Sequence, residues 1–595
     1  MLLTQSAAPY VASAQSEPAA KTQQPPTPLD KGRLEEVEEL SESLANDLLE
    51  LSVATRDKDL RKTAEFFPEE FLATPIPSSP LSPRPSLKWI ATRAWAVPPA
   101  ANTASITKTS AVGLNTPLAA APSGTDAAPA RTSAAAFLSG WADFLSHFSE
   151  IEDARFKVKE SSFDDGAKAV PGAKLPTAAP GSRGSARVAF YVIGRNREGL
   201  REWARGTVMA AVRASASGRW QFESWKLVSL DSVVASTDLF SEVSAAAGVE
   251  ATLPPFGAPG NGGFVWHGAA AADFDRDGWV DLFVTSPGRN FLYLNDKRGK
   301  FTDASASVGV KTLATGVAPL VLDYDNDGDS DVFISNVGEQ VMLENRLVPD
   351  GRLSFVDSSQ EAGVAVGAVG FSAAAGDVNG DGRLDIYVTS YNRYGQVTPD
   401  SWFRATNGTP NLLFMSQPGG TFREAAAKWG VDDRRWSYAA EFADVNADGR
   451  VDLYVANDFG EKAMFVNKGD RFVDEARERG VLDPGNGMGV SFGDYNNDGL
   501  LDLHASNMSS TAGNRILARL FPNQSPKDNV LKKLAAGNNL FQNQGGGKFK
   551  DVTAEVGGFS GGWAWGGGFI DFDNDGWEDI YTPNGFISGK SMKDT

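Results

Sequence analysis

Six stretches of this chain repeat one arrangement of oxygen-bearing side chains. Asp273, Asp275, Asp277 and Asp281 stand in the first, ADFDRDGWVDLFV, and Asp323, Asp325, Asp327 and Asp331 in the second. Asp377, Asn379, Asp381 and Asp385 form the third, Asp444, Asn446, Asp448 and Asp452 the fourth, and Asp494, Asn496, Asp498 and Asp502 the fifth. Asp571, Asp573, Asp575 and Asp579 form the sixth. In the shared pattern, D-x-D/N-x-D-G-x-x-D, positions 1, 3 and 5 converge when the chain curls tightly. The glycine at 6 permits the positive φ of that curl. The backbone carbonyl at position 7 then turns inward; it belongs to Trp279, Asp329, Arg383, Arg450, Leu500 and Trp577 in turn. Aspartate at 9 closes the cage from the start of the next strand. Oxygen ligands in that number suit Ca2+, a hard cation, better than zinc or copper, while magnesium keeps more water.

One such turn reads equally as an ordinary Asp-Gly turn on a solvated surface. Six in register read as cages, about six Ca2+ sites in all. An EF-hand is excluded: counted from Asp273, its position-12 glutamate is replaced by Val284, and Leu282-Phe283-Val284 reads as a strand. The cages hold 21 side-chain carboxylates, and six Ca2+ would move the formal charge from −19 to −7. Without the ions these carboxylates repel, so folding and calcium binding should be linked. Asparagine at position 3 drops one charge, so the third to fifth cages should bind more weakly than the others.

The elements that must position these turns repeat as well. The first aspartates are 50, 54, 67, 50 and 77 residues apart. Between them recurs a second segment: FLYLNDKRGKFTDASASVGV, LLFMSQPGGTFREAAAKWGV, LFQNQGGGKFKDVTAEVGG. Each unit thus holds a strand, the acidic turn, a strand, a hairpin and a closing strand. Units of four short strands that bury their faces only against neighbours predict a β-propeller over 237–595. TDLFSEVSAAAGV at 237–249 is a closing strand with no blade before it, expected to pair with the last blade. That last blade looks incomplete, since only 16 residues follow Asp579.

Residues 31–236 predict a smaller α+β domain: Leu34, Val37, Leu40, Leu44, Leu48 and Leu51 share one helical face, as do Phe137, Leu138, Trp141, Phe144, Leu145 and Phe148. Strand-like runs follow at 154–163, 185–194, 205–214 and 220–230, and this order resembles the cone-shaped domains typified by nuclear transport factor 2 (NTF2-like). Its aromatic residues are expected to be core. Residues 99–135, rich in Ala, Ser, Thr and Pro, predict a disordered loop. Residues 1–30 read either as a disordered leader or as the remnant of a secretory signal, with Ala12-Ser13-Ala14 as the cleavage site.

Composition removes other classes. A net charge of −19 argues against nucleic acid as a partner, no run is long enough for a transmembrane segment, and the absence of cysteine excludes disulfides and thiol chemistry. The acidic turns resemble the FG-GAP and VCBS repeats of integrin α-chain-type propellers. The stretches NGMGVSFGDYNNDGLLDLHASNMSSTAGNRIL and GWAWGGGFIDFDNDGWEDIYTPNGF are similar to the bacterial relatives of cartilage acidic protein, FG-GAP repeat proteins with a C-terminal ASPIC/UnbV segment. That resemblance implies a secreted or periplasmic, calcium-binding, seven-bladed propeller serving adhesion or the binding of a protein or glycan. A seventh acidic motif and the ASPIC/UnbV segment are missing from the sequence, which leaves ring closure open. Recognition is expected in the insertions at 391–410 and 509–537, the second carrying Arg515, Arg519, Lys527, Lys532 and Lys533 for an acidic partner. The alternative is a polysaccharide hydrolase or lyase using the propeller face or the N-terminal pocket, with carboxylates outside the cages such as Glu441 and Asp458.

Overall fold

A computed structural model describes residues 31–81, 84–85, 89–95, 130–238, 240–251, 267–286, 288–313, 316–392, 396–521, 524–526, 529–556 and 561–584. The leader, nearly all of the loop expected at 99–135, Lys527 and the C-terminal residues from 585 lie outside these.

The first helix, Lys31–Arg56, buries Leu40, Leu44, Leu48 and Leu51, the stripe that a spacing of three and four residues produces. A second long helix, Ala134–Ser146, starts where the Ser133 side chain accepts a hydrogen bond from the Ala136 amide. It buries Phe137, Trp141, Phe144 and Leu145. Both pack with an antiparallel meander of four long strands, Phe148–Phe163, Arg183–Asn196, Arg201–Ala214 and Trp220–Ala235. The middle two strands alternate buried and partly exposed residues, so one face makes the core. Aromatic rings fill that core: Phe67 lies 4.7 Å from Phe137, Phe156 lies 5.4 Å from Phe190, and Trp141 lies 6.1 Å from Trp225. The aromatic residues are core here, as their helical spacing suggested.

From residue 268 the chain forms six successive sheets among the described residues, where the resemblance implied seven. The first four-stranded sheet comprises Gly268–Ala272, Asp281–Ser286, Arg289–Asn295 and Phe301–Asp303. The fourth repeats it with Ser437–Ala443, Asp452–Asn457, Ala463–Asn467 and Phe472–Asp474, the fifth with Gly487–Gly493, Asp502–Asn507, Asn539–Asn543 and Phe549–Asp551. Inner strands of consecutive sheets lie side by side, which is a propeller-like arrangement of blades. Second strands such as Asp385–Ser390 and Asp452–Asn457 are buried along their whole length, because neighbouring blades cover both faces. Blade three gains a fifth strand, Val337–Glu339, lent by the connection within blade two.

Blade six holds two described strands, Gly568–Ile570 and Asp579–Tyr581. No pairing of 237–249, the expected closing strand, with these strands is described; residue 239 and the residues from 585, where a third strand would follow, lie outside the described residues. Phe240 nonetheless reaches this blade, its ring 5.7 Å from Phe572 and 6.4 Å from Tyr581.

Candidate metal centre

All six acidic turns fold to one template. The amide of position 6 donates to the second carboxylate oxygen of position 1 at 2.8 Å in Gly278, Gly382, Gly449 and Gly499, 2.9 Å in Gly576 and 3.1 Å in Gly328. The amide of position 7 donates to position 5, as from Trp279 to Asp277 at 3.0 Å and from Trp577 to Asp575 at 2.9 Å. Glycine at 6 has the positive φ the sequence implied, for example +88° at Gly278. Position 4 is also left-handed in every turn, including the non-glycine residues Arg276 (+57°) and Ala447 (+58°), which side-chain identity did not announce. Such strain persists where the surroundings over-determine it, here through the hydrogen bonds to position 1.

Position 9 is held from two directions. In blade two, Asp331 accepts from the Tyr324 amide at 3.1 Å and from the Asn345 amide, on the third strand, at 2.8 Å. Asp281 and Asp385 are held the same way, and Asp452 and Asp502 accept from Asn467 and Asn543. Burial raises the pKa of this carboxyl, to about 8 at Asp331 and to about 6 at Asp385, Asp452 and Asp502. The neighbouring cage carboxylates add to the rise.

These residues fit a cation. Oxygens of Asp273, Asp275 and Asp281 lie within 4.8 Å of one another, and so do those of Asp323, Asp325 and Asp331 and of Asp571, Asp573 and Asp579. Asp323, Asp502, Asp573 and Asn446 each keep one buried side-chain oxygen with no hydrogen-bond donor. Buried acceptors are normally satisfied, so a set of orphaned ones facing other carboxylates is what an ion would complete.

The cages are not equivalent. Asp329, assigned above only a carbonyl, is a fifth carboxylate of cage two; it accepts from the Val348 amide at 2.8 Å and keeps its other oxygen without a donor. Cages three and four carry a cation of their own: the guanidinium of Arg383 pairs with Asp381, and that of Arg450 with Asp448 at 2.5 Å. In cages three and five the amides of Asn379 and Asn496 donate to the position-5 carboxylates at 2.9 and 2.8 Å. Each device neutralises an oxygen of the position-5 carboxylate, as Lys297 does for Asp277 of cage one at 3.1 Å. Leu500 supplies no polar side chain at position 7, whereas Trp279 and Trp577 are exposed there.

Sequence reasoning missed a linking residue. Asn345, Asn467 and Asn543 end the third strands of blades two, four and five, and each side-chain amide donates to the position-2 carbonyl of the preceding blade's turn: Phe274 at 3.0 Å, Val378 at 2.8 Å and Val445 at 3.0 Å. The signal was the recurrent asparagine in VMLEN, MFVN and LFQN. Asn467→Ala should cost about 1–3 kcal/mol, since it leaves a buried carbonyl unpaired; urea unfolding checks this, and a change within a few tenths would remove the linking role.

The basic insertion meets the chain itself. Arg515 and Arg519, on the helix Thr511–Leu520, pair with Glu38 of the first helix, and Lys533 faces Asp483 and Asp551. The expected acidic partner of these three is therefore intramolecular. Glu441 and Asp458 are not adjacent in blade four. Glu441 lies opposite Tyr454, while Asp458 follows Asn457, which lies opposite Ser437. Four residues of strand, roughly 13 Å of backbone, thus separate them.

Comparison with known proteins agrees with the repeat. A model of the FG-GAP-like repeat matches residues 273–334, 323–388, 444–505 and 532–582. Cartilage acidic protein 1 of Mus musculus is 26% identical over 224 residues, covering 33% of this chain and 32% of that protein. The Homo sapiens protein of that name is also 26% identical over 224 residues (33% and 31%), and that of Xenopus tropicalis 30% over 155 residues (24% and 23%). The chain thus spans about a third or less of the length of these relatives. A solved lectin of Agrocybe aegerita, described as recognising non-reducing terminal N-acetylglucosamine, matches with TM-score 0.30 and 14% identity over 64% of this chain and 82% of that one, too low a score to carry weight.

Proposed function

Because the chain carries FG-GAP-like repeats and resembles part of cartilage acidic protein 1, we propose that it is a calcium-stabilised propeller scaffold for binding a protein or glycan outside the cytoplasm. The observation that carries this reading is the single hydrogen-bond template shared by six acidic turns, with buried oxygens left for a cation. The side chains of positions 1, 3, 5 and 9 would hold the ions, with the carbonyl of position 7. Bound calcium supplies the positive charge that lets these carboxylates stay ionised side by side. Outside cells, weak sites with Kd of ~10⁻⁴–10⁻³ M remain useful. The reading includes ring closure around Phe240 and a recognition face opposite the cages. On that face the insertion 391–410 presents Trp402, 69% exposed, against Phe459. No helix among the described residues is long and apolar enough to cross a membrane.

Thermal unfolding against calcium, with ion counting by equilibrium dialysis, tests the reading. Each filled site should add about 2.7 kcal/mol when free calcium is one hundred times its Kd, with the middle cages filling last. An unfolding midpoint indifferent to calcium sinks the proposal.

A further inference from the structure

The contact between the two parts of the chain leaves a cleft of about 220 Å³, walled by Ser162, Ser185, Arg187 and Met209 of the meander and by Arg515 and Arg519 of the insertion helix. Its charge balance is unlike the rest of the protein. Glu38 is shared by Arg515 and Arg519, and Glu160 is occupied by Arg187 at 2.5 Å. Lys159, half-buried, precedes Glu160 on the strand that carries Ser162. Two carboxylates therefore serve the three guanidinium groups that wall the cleft, with Lys159 beside them, in a chain of net charge −19. The crowding is felt: burial, then the charges of Lys157 and Arg187, bring the Lys159 ammonium down to about 8. Arg515 is 6% exposed, and its Nε keeps a buried N–H without an acceptor.

Desolvated like charges are costly unless something opposite joins them. Guanidinium forks beside serine hydroxyls match a tetrahedral oxyanion, which accepts several hydrogen bonds at once. The acidic surroundings disfavour a long polyanion, and the small volume fits one compact group. We propose that this interdomain cleft binds a sulfate or phosphate group, carried as a monoester on a sugar or other small molecule, and so ties recognition to the seam between the domains.

Calorimetric titration of the full chain, in saturating calcium, with inorganic sulfate, inorganic phosphate, a monosulfated sugar and a sugar monophosphate tests this. At least one anion should bind saturably, and the tighter of the two esters identifies the source. Arg187→Gln should weaken that binding by about tenfold, the loss of one charge-assisted hydrogen bond. Lys159→Gln should weaken it less, and Lys159→Arg should leave it intact. Unaltered calcium-dependent unfolding midpoints show that the variants fold; should Arg187→Gln fail to fold, the Lys159 pair decides. No saturable binding of any of the four anions by the native chain overturns the proposal, and so does equal affinity of a folded Lys159→Gln and Lys159→Arg.

Discussion

Asp331→Ala should destabilise the protein by about 1–3 kcal/mol for each of the two backbone donors it strands, and should remove one bound calcium. The carboxylate is buried, and its two oxygens tie the turn of blade two to the third strand through Tyr324 and Asn345. Alanine leaves both amides inside without acceptors. It also takes a ligand from the most acidic cage, where Asp323, Asp325, Asp327 and Asp329 already crowd together. Asp331→Asn separates the effects: it keeps the side chain's shape and one acceptor oxygen but loses the charge. Urea unfolding with and without calcium, with ion counting, should show Asp331→Ala low in both conditions. Asp331→Asn should lag chiefly when calcium is present. A native ion count in the alanine variant would take Asp331 out of the cage.

Asp483→Ala should be comparably severe, on the order of 3–5 kcal/mol, the cost of breaking one partner out of a buried ion pair. Lys462 and Asp483 are both fully buried, 2.7 Å apart, and Lys462 also donates to the Gly485 carbonyl at 2.8 Å. Asn507 donates to the same carboxylate at 2.9 Å, and Lys533 stands 3.9 Å away. Burial alone would raise the pKa of Asp483, but Lys462 and Lys533 outweigh it and hold the carboxyl down at about 2. A depressed folded-state pKa gives a definite sign. The stabilisation is whole above the unfolded value near 4 and is lost as pH falls from about 4 toward 2. Acid unfolding of the alanine variant should therefore lack that part of the native slope. Equal slopes would mean that Asp483 titrates alike folded and unfolded.

What the sequence disclosed follows from how local each feature is. The acidic turn at Asp273–Asp281 is nine residues long, so its residue types and spacing were legible locally, and the blade periodicity followed from the repeats. The left-handed Arg276 and Ala447 were hidden, because neither residue prefers that region; the hydrogen bonds to position 1 impose it. Asn467 was visible as a letter but not as a link, since its acceptor sits in another blade's turn. Arg519 and Glu38 are 481 positions apart, so the sign of the insertion's charge was legible while its partner was not.

The strand Val337–Glu339 bears on how the molecule carries load. In blade three the place of the asparagines of blades two, four and five is taken by Ser416, next to last in its third strand, and serine has no side-chain amide to reach back to the preceding turn. At this seam the link moves to the opposite end of the blades. There Val337, Gly338 and Glu339 pair with Val369, Ala368 and Gly367 of blade three. A single side-chain amide yields one bond at a time, whereas a short ladder pulled along its length must give up several together. Under tension between the two ends of the ring, the join between blades two and three should hold while the asparagine seams on either side open first.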